Sequence, residues 1–132
     1  MNLWTARVNY SGADRVDISR AGCDRARKAG GETPGEFLAP SAGLVFPALR
    51  RMKAATTDAE REWVWRAYSD AYRVEMLASH KARRSEWEAF LQRERATIVC
   101  YCAPVNGVLR CHRMLAAGYL ARLGATYCGE VN

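Results

Sequence analysis

The chemistry-bearing residues of this chain gather near its C-terminal end. Cys100-Tyr101-Cys102 is followed, after a short turn-forming stretch, by Cys111-His112-Arg113, with Arg110 immediately before. The first group ends an apolar run that reads as a strand. The second opens a run that reads as a helix. Residues two apart on a strand share a face, so Cys100 and Cys102 are expected on one side and Tyr101 on the other. A helix start offers unpaired N–H groups and the positive end of the helix dipole, which together attract an anion. Arg110 and Arg113 flank that point, and a guanidinium forks onto phosphate or carboxylate. The favoured chemistry is therefore an anion cradle, for a phosphate of a nucleotide-like ligand, with Cys100, Cys102, Arg110, Cys111, His112 and Arg113 around it.

Two further chemistries use the same residues. Cys100, Cys102, Cys111 and His112 form a permissible zinc ligand set. The Cys-x-Cys spacing is unlike the usual Cys-x2–4-Cys, and adjacent Cys111 and His112 would both have to turn to one metal. The other chemistry is nucleophilic. A thiol at a helix N-terminus beside arginine is acidified, and His112 could serve as its base. The Cys-x5-Arg loop of a tyrosine phosphatase is absent, with Ala117 standing where its arginine would be. Against all three stands plain packing, in which the cysteines are small buried hydrophobes.

More distant residues complete the candidate pocket. Asp17 and Arg20 lie at the exit of a short strand, where Asp17 could hold a ribose hydroxyl and Arg20 could act as a counter-charge. Glu130, beside Gly129 near the end of the last strand, is the carboxylate best suited to general acid–base work.

These residues require a scaffold of alternating strands and helices. The sequence predicts strands over 2–9 and 15–19, joined by a turn over 10–13. Residues 21–35 carry four of the ten glycines and Pro34, and read as a flexible loop or insertion. Ser41 is a capping residue, and Pro47 either starts a helix over 47–54 or kinks one begun at Ser41. Thr57 with Glu60 makes a capping box for a helix running to about Ser79. Its expected buried stripe is Val64, Ala67, Tyr68, Ala71, Val74 and Ala78. Trp63, Trp65, Tyr68, Tyr72 and Met76 are assigned to core or to the surface of a homo-oligomer, and His80 to a solvated helix end. A third helical segment starts at Ser85, with Trp87, Phe90 and Leu91 as its apolar face. The strand over 96–102 is apolar almost throughout and is expected at the centre of a sheet. A largely buried helix over 111–123 follows, ended by Gly124, and then a strand over 125–131. The expected fold class is a small α/β domain, Rossmann-like and three-layered, with a mostly parallel sheet and flanking helices.

Bulk properties agree with one folded unit over residues 1–132. The chain is long enough for one core, and 49% of its residues are hydrophobic. No apolar run approaches the roughly 20 residues of a membrane helix. The N-terminus lacks the pattern of a secretory signal, so a cytoplasmic location is expected. Five cysteines, at 23, 100, 102, 111 and 128, fit reduced thiols better than a disulfide framework. The formal charge of +6 favours anionic partners. The basic residues are scattered, so extended nucleic acid is a weaker expectation than a small ligand.

The chain resembles the domain of unknown function 488 family, in particular its short members often encoded by phages. The resemblance rests on Asp17-Ile18-Ser19, Phe37-Leu38-Ala39-Pro40-Ser41, Tyr68 and Tyr72 through Met76, and Trp87. It continues through Val99-Cys100-Tyr101-Cys102, Cys111-His112-Arg113 and Tyr127-Cys128-Gly129-Glu130. It implies a Rossmann-like α/β fold with some similarity to nucleoside-processing and nucleotide-sensing domains, and no established activity. Many relatives carry Cys-x-Glu where this chain has Cys100-Tyr101-Cys102.

The leading expectation is binding of a nucleotide or nucleotide-derived anion, for a phage protein the sensing or sequestering of a signalling nucleotide. The competing expectation is an enzyme of the nucleotide hydrolase or N-glycosyl-transferring type, using Glu130 or Asp17 with Cys111 and His112. A zinc-stabilised interaction domain is the third. No cofactor is required by the first two.

Overall fold

The computed structural model describes residues 1–102 and 110–131. Its order is β1 (Asn2–Arg7), β2 (Arg15–Asp17), α1 (Arg20–Lys28), a 3-10 turn (Glu36–Leu38), α2 (Ala42–Ala54), α3 (Asp58–Ala82), α4 (Arg84–Leu91), β3 (Arg95–Cys100), α5 (His112–Arg122) and β4 (Thr126–Val131). The four strands pair in the order β2-β3-β1-β4, all parallel. With five flanking helices among the described residues this is a mixed α/β fold, consistent with the three-layer, Rossmann-like architecture expected. β3 lies between β2 and β1, in the interior position its apolar sequence indicated.

Register sets which residues meet above the sheet. Thr5 pairs with Ile98 and with Glu130, and Arg7 pairs with Cys100. β1 therefore separates Cys100 on β3 from Glu130 on β4. Leu3, Val16, Ala96 and Ile98 form the sheet side of the core, which Tyr68, Tyr72, Trp87, Phe90, Ala117 and Leu120 complete from the helices. Tyr72 has no exposed surface, and its hydroxyl donates to Leu38 O at 2.7 Å. That bond ties α3 to the turn before α2.

Several elements differ from expectation. Residues 20–28 are a helix rather than part of a loop. Ser19 caps α1, its Oγ accepting from Gly22 N at 3.0 Å, and Cys23 is buried beneath it. The glycine content hid this helix, because Gly22 serves close packing: a Cβ there would overlap the Asp17 carboxylate. Pro47 lies inside α2, which begins after Ser41. Ser41 does not cap it by side chain; its N and Oγ both donate to Glu75 of α3. α3 runs three residues beyond Ser79, and its buried stripe is Val64, Tyr68, Tyr72 and Met76. Ala67, Val74 and Ala78 are exposed. The stripe follows the i+4 row of large residues, which fill the space over the sheet that alanines cannot. Trp63 is exposed, and His80 packs edge-on against Trp87 instead of standing in solvent. β3 stops at Cys100, two residues short of the expected end.

Candidate functional site

The cysteine cluster is built where the carboxyl end of β3 meets the first turn of α5. Cys111 is the N-cap residue of α5, in extended backbone and without a side-chain cap bond. Its sulfur touches that of Cys100, and the two Cα atoms are 7.8 Å apart. Disulfides span roughly 4.4–6.8 Å between Cα atoms. The Cys100 and Cys111 backbones thus stand farther apart than an ordinary crosslink allows, and a relaxed disulfide would need backbone movement. Cys23, Cys102 and Cys128 are separate, and Cys128 is exposed.

His112 is buried, and its Nε2–H donates to Ile18 O at 2.8 Å. This fixes the tautomer: Nδ1 carries the lone pair, 3.9 Å from Cys111 Sγ. Burial pushes the imidazole pKa down from 6.5 to about 4, against the opposing hydrogen bond to Ile18. The ring is thus a neutral acceptor beside the thiol at ordinary pH. The donor atoms of Cys100, Cys111 and His112 lie within 4.8 Å of one another, close enough to share a metal ion. Cys102, the fourth member of the expected zinc set, is outside that cluster.

Arg113 has no exposed surface. It reaches from α5 across β1 and joins the two flanking strands. Its Nη1 donates to Cys100 Sγ at 3.1 Å and to Cys102 O at 2.8 Å. Its Nε and Nη2 donate to Glu130 Oε1 at 3.2 Å and Oε2 at 2.6 Å. Partial burial acts to raise the Glu130 pKa. The bonds from Arg113 and Thr5 outweigh it and hold the carboxyl below the usual value. Glu130 is therefore an ionised partner of Arg113, and Arg113 is occupied.

The remaining arginines expected at the site have different fates. Arg20 donates to Pro40 O and pairs with Asp24 and Glu36. Arg110 Nη2 is 2.6 Å from Glu62 Oε2 on α3. Its Nη1 is buried and finds no hydrogen-bond partner among the described residues. Asp17 accepts from Ser19 N and Oγ through Oδ1, so it braces the start of α1 and is not in the cysteine cluster. The Asn106-Gly107 turn falls outside the described residues.

A cavity of about 60 Å³ opens beside the cluster, bounded by Cys102, Arg110, Cys111 and His112 on one side. Apolar side chains of α2 and α3, among them Met52, Trp65 and Tyr68, close the other. Two waters, or a group of phosphoryl size, fill such a volume. Burial, and the neighbouring Cys102 after it, push the Tyr68 phenol well above its ordinary range, so its hydroxyl stays protonated. Burial likewise raises the Cys102 thiol, with Arg113 opposing. The part played by α2 and Tyr68 in this wall was missed by the sequence reading. Only the aromatic i+4 row of α3 hinted at it.

A larger cleft, about 520 Å³, lies at the carboxyl ends of β1, β2 and β3, where Val8, Asp17 and Tyr101 meet α1. Tyr101 thus lines a different cavity from Cys102, although both residues lie beyond the end of β3.

The fold and cluster together define a parallel-sheet α/β protein with a cysteine–histidine–arginine site at the carboxyl edge of its sheet. The chain belongs to the DUF488 family: residues 4–124 match the family described as the active DUF488-N3 subclade. No curated protein and no solved structure matches the chain. No described helix is long and apolar enough to cross a membrane.

Proposed function

We propose that the chain binds the anionic group of a nucleotide or nucleotide-derived ligand in the cavity between β3 and α5. The observation that carries this reading is Arg110 Nη1, a buried cationic donor without a partner among the described residues, at the wall of a phosphoryl-sized cavity. A buried unpaired donor costs stability, and an anionic oxygen offsets that cost. The uncapped first turn of α5 adds its N–H groups to the same anion. Glu62 holds the other arm of Arg110. Arg113 and Arg20 act at one remove, because neither lines the cavity.

The enzymatic form of this reading uses Cys111 as the reacting group. It borders the cavity, and His112 Nδ1 is its neighbouring acceptor. Glu130 and Asp17 are engaged in structural bonds and suit acid–base work less well.

Calorimetric titration with inorganic phosphate, pyrophosphate and a nucleotide panel tests the reading. Arg110→Gln is expected to weaken the tightest ligand at least about fivefold. Absence of binding by every compound, or binding indifferent to Arg110→Gln, overturns it.

A second reading rests on the convergence of Cys100, Cys111 and His112 donors. Zinc would take the two thiolates and Nδ1, while Nε2–H donates to a backbone carbonyl in the manner of metal-bound histidines. Stoichiometric zinc in the purified protein, lost in Cys111→Ser, would favour this reading over the first.

A further inference from the structure

The 520 Å³ cleft on the opposite side of residue 101 has the volume of a small-molecule site, which the cysteine cavity lacks. It also sits where parallel sheets bind ligands, outside the carboxyl ends of adjacent strands. Three groups within it remain available. Tyr101 is 43% exposed, so a face of its ring can be covered. Arg25 Nη1 donates to the Tyr101 hydroxyl at 2.8 Å, and the guanidinium carbon is 5.9 Å from the ring centroid. Among the described residues Arg25 makes no ion pair, whereas Arg20, Arg110 and Arg113 all do. Asp17 spends Oδ1 on Ser19, and among the described residues Oδ2 has only Arg15 at 3.7 Å.

An aromatic ring, a guanidinium that no carboxylate holds among the described residues, and a carboxylate oxygen at the end of β2 match the parts of a nucleoside. We infer that this cleft binds the nucleoside portion of the ligand, with a base of the guanine type. The base stacks on Tyr101. Arg25 donates to the adjacent acceptors at the O6 and N7 edge, the arrangement a guanidinium fork fits best. Asp17 Oδ2 accepts from a ribose hydroxyl. Cytosine presents an amino donor on the corresponding edge and is disfavoured. The inference rests on the nucleotide class proposed above, and it adds which part of the ligand each pocket takes.

Nucleosides without phosphate isolate this cleft from the cavity. Inosine, which keeps the O6 and N7 acceptors, is titrated against cytidine while the amide resonances of the labelled protein are followed. Saturable shifts confined to α1 and the end of β3 are expected, with inosine binding more tightly than cytidine. Tyr101→Ala weakens inosine about tenfold, Tyr101→Phe retains it, and Arg25→Ala removes the preference over cytidine. Arg110→Gln leaves the inosine titration unchanged. No inosine binding, or binding that survives Tyr101→Ala, overturns the inference. Neither result bears on the dependence of inorganic phosphate binding on Arg110, which reports on the cavity alone.

Discussion

Arg113 on α5 and Glu130 on β4 form a two-point ion pair, Nη2 to Oε2 at 2.6 Å and Nε to Oε1 at 3.2 Å. The guanidinium is fully buried and the carboxylate side chain is 27% exposed. The remaining arm of Arg113 binds Cys100 Sγ and Cys102 O. One side chain thus fixes the end of β3 relative to β4, and it neutralises its own charge in doing so.

Glu130→Gln keeps the shape of this partner and removes its charge. The buried guanidinium is then left uncompensated. A loss of about 3 kcal/mol is expected, the low end for a broken buried pair because Glu130 is partly solvated. Urea denaturation of the variant checks this. A loss below about 1 kcal/mol would show that the pair contributes like a surface bridge.

His112 gives stability a pH dependence of definite sign. Its pKa is about 4 when folded against an ordinary 6.5. The unfolded chain therefore binds the proton first as pH falls. The contribution is complete above pH 6.5 and is lost progressively toward pH 4. Between pH 7.5 and 5 the chain should lose about 2 kcal/mol of unfolding free energy from this group. Glu130 acts in the same direction at lower pH, since its depressed pKa places its loss below the ordinary value of 4.5. In His112→Gln the slope between pH 7.5 and 5 should flatten, whatever the variant's absolute stability.

The thiols should differ in reactivity. Burial, then Asp17 and Glu36, push Cys23 up to about 11. Cys128 is exposed on the edge strand β4. Timed alkylation at pH 8 with mass spectrometry should modify Cys128 first and Cys23 only on unfolding. Early labelling of Cys23 would mean that α1 opens readily from the sheet.

Much of this arrangement was legible in residue order. The apolar run over 96–102 indicated an interior strand, which the structure ends at Cys100, and Cys111-His112-Arg113 indicated a helix start beside it. Pairing was not legible. Arg113 and Glu130 are separated by a whole helix, and only the β1–β4 register brings them together. Nor could composition distinguish Arg25, without an ion pair among the described residues, from Arg20, which meets Glu36 through the fold. The glycines of residues 21–35 misled for a physical reason, because glycine marks either freedom or close approach.

Gly22 tests that last distinction directly. It lies in the first turn of α1, where its N–H donates to Ser19 Oγ while Ser19 is held by Asp17. Replacing an exposed helical glycine with alanine ordinarily stabilises by about 0.5–1 kcal/mol. At Gly22 the added Cβ would overlap the Asp17 carboxylate and crowd Ser19 Oγ, and neither can retreat without breaking the cap. Gly22→Ala should therefore destabilise by about 1–3 kcal/mol. Gly118 on α5 is the control, because a Cβ there meets nothing within 4 Å. Gly118→Ala should stabilise by about 0.5–1 kcal/mol. Thermal and urea unfolding of the two variants should move in opposite directions. If both are stabilised, Gly22 reflects chain flexibility, and the Asp17–Ser19 brace is looser than its 2.6 Å hydrogen bond implies.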